Sequence, residues 1–139
     1  MNTSEDEIIS LLKESKTIAV VGLSPKPNRA SFRIASYMQE AGYRIIPVRP
    51  GGVSVLGEQS YPSLKEIPAD IKVDIVNVFR ASENTPPIAS NAVAIKAKCL
   101  WLQSGISNQT AMEIAQKGGL IAVEDQCLAV VHRSLADRL

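Results

Sequence analysis

Charge of either sign is nearly absent as a net quantity: 15 lysines and arginines stand against 14 acidic residues, leaving a formal charge of +1. That balance removes any bulk attraction to DNA, RNA or an anionic membrane, so any anion site has to be local. Long hydrophobic runs are also missing. Stretches such as Thr17 to Leu23 fall well short of the ~20 apolar residues that cross a bilayer, and the acidic N-terminus is the reverse of a signal peptide's basic start. A cytoplasmic protein is the expectation. Cysteine is reduced to Cys99 and Cys127, in dissimilar contexts and without the close spacing of a metal or redox pair. The single histidine, His132, falls in a predicted helix, reads as a helix-surface residue and has no cluster of ligands around it; no metal site is expected. Aromatic residues make up only 4% of the chain, which leaves the interior to aliphatic side chains.

What is present suits one soluble domain. With 139 residues, 45% hydrophobic and 21% charged, residues 1–139 can bury a single core without disulfides or a structural metal. Ser4 and Glu7 form a capping-box pair ahead of Ile8, Leu11 and Leu12, predicting a helix that ends near Ser15 or Lys16. The run 17–22 then has the length and β-branching of a strand covered on both faces. Ile34, Tyr37, Met38 and Ala41 recur at helical spacing before Gly42, and Tyr43 to Val48 supplies a second strand. A β-α-β unit of this size demands parallel strands and a right-handed crossover.

The alternation continues downstream. Short strand-like pieces are expected around Val53 to Leu56, a long strand from Val73 to Phe79, and a helix starting at Pro86 and Pro87 with Ile88, Ala92 and Ile95 on one face. Cys99 to Leu102 reads as a strand, Ser107 to Lys117 as a helix, Leu120 to Val123 as the last strand, and the tail as a closing helix carrying Leu128, Val131 and Leu135. The expected fold is α/β: a single Rossmann-like domain, a mainly parallel sheet of about five strands with helices on both faces.

In such a sheet ligands bind outside the carboxyl ends of the strands, where strand order reverses. The loop after the first strand joins Gly22, Ser24, Pro25, Arg29 and Ser31 just before a helix, whose free N–H groups attract anions. It lacks a complete Gly-x-Gly-x-x-Gly, so a phosphate cradle and a prolyl turn with Ser31 as helix cap are both open. The second loop holds Val48, Arg49, Pro50 and two glycines. An NAD-binding domain usually places an acid there for the ribose diol; an arginine suits a ribose phosphate, which coenzyme A and NADP both carry.

The pieces Gly22-Leu23-Ser24 with Pro25, Arg29 and Ser31, Gly42-Tyr43, Pro47-Val48-x-Pro50, Leu56-Gly57, Tyr61, Asp74-Ile75-Val76 followed by Val78-Phe79-Arg80, and Trp101-x-Gln103-x-Gly105 closely resemble the small stand-alone CoA-binding proteins. The resemblance runs from about Thr17 to Cys127. Those proteins are similar in turn to the CoA-binding domain of the succinyl-CoA synthetase α subunit. The resemblance implies coenzyme A or an acyl-CoA as ligand, with the pyrophosphate near Ser24, Arg29 and Ser31. It implies the adenosine end near Val48, Arg49 and Pro50, and the pantetheine arm near Phe79, Arg80, Gln103 and Gly105. One position departs, since the family often has Asn where Arg49 stands.

Catalysis has fewer candidates. Asp125 beside Cys127 is an acid next to a nucleophile, but without a histidine partner Cys127 reads as structural. Trp101 reads as a core or interface anchor. A binding protein for a small-molecule nucleotide is therefore the leading expectation, with a homodimer or an unidentified protein partner left open. An NADP-dependent or CoA-dependent enzyme working with a partner, and an interaction domain with a degenerate pocket, are the competing ones.

Overall fold

A computed structural model describes residues 4–139. Helix α1 (Glu5–Glu14) is started by the full capping box, Ser4 Oγ accepting from Glu7 N while the Glu7 carboxylate accepts from Ser4 N. Its apolar face, Ile8, Ile9, Leu11 and Leu12, is buried. Five strands follow: β1 (Thr17–Val21), β2 (Arg44–Val48), β3 (Ile75–Val78), β4 (Cys99–Leu102) and β5 (Ile121–Val123). They pair entirely in parallel in the order β2-β1-β3-β4-β5. Strand order therefore reverses between β1 and β3, whose register sets Val21 opposite Val78.

Every residue of β1, β3 and β4 is buried, as parallel strands covered on both sides require. On one face α1, α2 (Ala30–Glu40) and α5 (Leu128–Leu135) pack over Ile18, Val20, Ile45, Ile75 and Trp101. On the other, α3 (Thr85–Ala94), α4 (Gln109–Lys117) and the turn around Leu64 cover Ala19, Val21, Ile46, Val48, Val76 and Val78. Each fully buried branched side chain contributes about 1.5–3 kcal/mol.

Several boundaries and environments differ from the sequence expectations. The long third strand is shorter than expected, Ile75–Val78; just before it Asp74 N donates to Thr17 O at 2.9 Å and its carboxylate accepts from the amides of Lys16 and Thr17 at 2.8 and 3.1 Å. Helix α4 starts at Gln109 rather than Ser107, since Asn108 Oδ1 caps Ala111 N at 2.8 Å. Around Val53 to Leu56 only an isolated antiparallel bridge forms, Val55 to Glu58. Ala41 is the exposed end of α2, not part of its core face. His132 is not a surface residue: it is buried, with Nδ1 2.9 Å from Tyr37 Oη and its ring edge-on to both Tyr37 and Tyr43. Trp101 is a core anchor, its Nε1 donating to Gln126 O at 2.8 Å.

Candidate functional site

At the strand-order reversal, Gly22 carries β1 out of the sheet with φ of +88° while its amide donates to Val48 O at 2.8 Å. A Cβ there would lie 2.8 Å from Phe79 O and 3.1 Å from Arg80 Cδ, so only glycine lets the ends of β1 and β3 come this close. The following loop is tied to itself. Ser24 N donates to Ser31 Oγ at 3.0 Å, Lys26 N to Ser24 Oγ at 3.1 Å, and Arg29 N to Lys26 O at 3.0 Å. Ser31 is therefore neither the cap of α2 nor a free hydroxyl acceptor; it holds the loop closed from inside the helix, with its own proton still to give.

Arg29 is the N-cap residue of α2, and its side chain makes no capping bond. The first bond reaching back to that cap, Arg33 N to Arg29 O, comes only after the amides of residues 30–32, and no acid lies in the first turn. An uncapped helix start of this kind presents positive partial charge to whatever sits above it. Lys26, Arg29, Arg33 and Arg80 are exposed around it, and no acidic residue occurs between Gly22 and Gln39.

The second loop contributes differently from its first residue to its second. Val48 is buried in the core, so only its backbone borders the crevice. Arg49 is half-buried, and its Nε and Nη1 are shut from solvent without a hydrogen-bond partner among the described residues. Pro50 is exposed.

Beyond β3 the loops are knitted together. Ser107 N donates to Ser82 Oγ at 3.1 Å, Asn108 Nδ2 to Ser82 O at 2.9 Å, and Asn108 N to Glu124 Oε1 at 2.9 Å. Gly105 N donates to Asp125 Oδ1 at 2.6 Å, which engages that carboxylate. Gln103 is buried; its Oε1 accepts from Leu128 N at 3.0 Å and from Asn77 Nδ2 at 3.2 Å. Phe79 packs partly against the core while Arg80 reaches solvent.

The structure thus gathers Gly22, Ser24, Pro25, Arg29, Ser31, Arg49, Phe79 and Arg80 about the ends of β1, β2 and β3. Gln103 and Gly105 belong to the knitted half, where their oxygen and amide, respectively, already have partners. Two residues escaped the sequence reading. Asn77 had a visible signal, an amide in the middle of an apolar strand; Ser60, a buried hydroxyl with no partner among the described residues, had none.

A family model described as a CoA binding domain matches residues 16–133. The uncharacterized protein YneT of Bacillus subtilis is 44% identical over 131 residues, covering 94% of this chain and 96% of its own. A hypothetical protein from Pyrococcus horikoshii OT3 superposes with a TM-score of 0.91 at 34% identity, over 97% of this chain and 94% of that one. The ADP-forming acetate–CoA ligase I of Archaeoglobus fulgidus is 24% identical over 129 residues, 87% of this chain but only 19% of the ligase.

Proposed function

Because the chain belongs to the CoA-binding domain family, we propose that it binds coenzyme A or an acyl-CoA at the β1–β3 crevice as a non-catalytic or regulatory binding protein. The observation that carries this reading is the charge pattern of that crevice. Four cations, Lys26, Arg29, Arg49 and Arg80, lie on the three loops of its β1–β3 half, and the helix that follows the first loop has an uncapped start free of acids. Coenzyme A brings a pyrophosphate and a ribose phosphate, and charge-assisted hydrogen bonds to such groups are the strong ones.

In this reading the pyrophosphate lies over Gly22 and the start of α2, where Arg29 supplies charge and Ser24 and Ser31 line the turn. The adenosine end lies toward Arg49 and Pro50, beside the backbone of Val48. The pantetheine arm runs past Phe79 and Arg80 toward Gln103 and Gly105. Binding is favoured over reaction because the carboxylate at the end of β5 is engaged, Asp125 Oδ1 accepting from Gly105 N.

Calorimetric titration of one preparation with CoA, acetyl-CoA, NADPH, NAD and ATP tests the assignment. Saturable binding of CoA or acetyl-CoA, with weaker response to NAD and ATP, is the expected result. Tight NADPH binding with silence toward CoA would overturn it, and silence toward every nucleotide would favour a degenerate pocket.

A further inference from the structure

Away from the crevice, just before β3 and β4 begin, a groove of about 440 Å³ lies between the turn at Leu64–Glu66 and the last turn of α3. That volume is in the range of small-molecule sites. Leu64, Ile67 and Val73 are the buried part of its lining, and Ile71 and Ile95 the half-buried part. Lys65 and Lys96 are the charged residues that line it, and no acid does.

Both lysines are exposed, and neither makes an ion pair among the described residues. The acids nearest Lys65 in sequence stay out of the groove. Glu66 accepts from Ser63 Oγ at 3.4 Å, and Asp70 lines a separate cleft beside Arg44 and Lys72.

Lys96 also stands where glycine is usual. Helix α3 ends with Ala97 N donating to Ala92 O at 3.1 Å and Lys96 N to Val93 O at 3.0 Å, a closure whose left-handed residue is most often glycine. Here a lysine holds that conformation, with φ of +61°. The backbone alone favours a residue without a Cβ, and these two bonds already satisfy carbonyls that a lysine at a helix end would otherwise serve. The reason for lysine therefore lies in where its ammonium group goes, which is the rim of the groove.

We propose that this groove is a second small-molecule site, which takes a free aliphatic carboxylate. The chain lies against Leu64, Ile67, Ile71 and Ile95, where burial of apolar surface supplies the affinity. Lys65 and Lys96 select the sign of the head group. The site is separated from the nucleotide crevice by the length of β3, roughly 13 Å for four residues at ~3.3 Å each, so both sites can be filled together. It does not depend on the CoA reading.

The test is calorimetric titration with three ten-carbon probes: decanoate, decanol and decylamine. Decanoate should bind saturably at one site, decanol at least fivefold more weakly, and decylamine more weakly still. Lys65→Gln and Lys96→Gly should each weaken decanoate severalfold and leave decanol unchanged. Lys96→Gly should at the same time hold or raise Tm, because it frees the left-handed backbone, and that pairing separates a lost contact from a damaged fold. Saturating CoA should leave decanoate binding in place. Equal affinity for the three probes, displacement of decanoate by CoA, or lysine variants that bind decanoate as the unaltered chain does would each overturn the proposal.

Discussion

The carbonyl oxygen of Phe79 stands 2.8 Å from where a Cβ on Gly22 would be. Gly22→Ala adds that clash to a left-handed φ of +88°, and the two together should cost about 2–3 kcal/mol. Urea denaturation gives the loss directly. Calorimetry on the surviving folded fraction should show weakened CoA binding, because β1 and β3 are pushed apart at the mouth of the crevice.

Arg29 is exposed and its side chain does not cap α2. Arg29→Ala should therefore leave Tm within a degree or so while weakening CoA by ten- to a hundredfold, equivalent to about 1.5–3 kcal/mol for a charge-assisted phosphate contact. Unchanged affinity would place the phosphate elsewhere.

Gln103 joins β3 to α5 through one oxygen, accepting from Asn77 Nδ2 and Leu128 N. Replacing it by alanine strands Leu128 N and leaves Asn77 Nδ2 only its 3.4 Å bond to Trp101 O, and should cost about 1–3 kcal/mol in a chemical denaturation experiment. Gln103→Glu keeps an acceptor for both donors and should retain more of that stability than alanine does.

Burial holds the His132 imidazole below its ordinary 6.5, so the folded chain binds its proton less readily than the unfolded chain. Stability is complete above the unfolded value and declines as pH falls through 6.5 toward the lower folded value, below which this group takes no more. Thermal melts between pH 7.5 and 5 should show the decline, and His132→Gln should flatten that part of the profile. An unaltered slope in the variant would assign the acid sensitivity to the carboxylates.

Cys99 is fully buried, and desolvation pushes its thiol well up from the ordinary value. A thiol reagent should modify one cysteine of the native chain, Cys127, and reach Cys99 only on unfolding. Two equally fast reactions would contradict the packing around β4.

Local signals made most of the fold legible. The apolar runs of β1, β2 and β4, the Ser4–Glu7 box and the prolines opening α3 are rules that act within a few residues. The expectations that failed depend on distant partners. His132 is buried because Tyr37 and Tyr43, some ninety residues earlier, wrap its ring. Ser31 is not the cap of α2, which begins one residue before it, and its hydroxyl accepts from Ser24 N seven residues back. The strand runs were enough to put Gly22, Arg29 and Arg49 in the loops after β1 and β2 without a structure. They could not tell that Val48 is buried in the core, nor that Tyr61, twelve residues after Arg49, returns to take its amide across a bridge.

That bridge has a consequence at the rim of the sheet. β2 is an edge strand, and an unguarded edge invites another chain to add a strand. Here Pro47 has no N–H to offer, its carbonyl is taken by Tyr61 N, and Tyr61 O takes the amide of Arg49. The carboxyl half of the edge is thus closed to strand addition by its own polypeptide, and the molecule can leave a loose, glycine-bearing loop beside it without making that border a seed for aggregation.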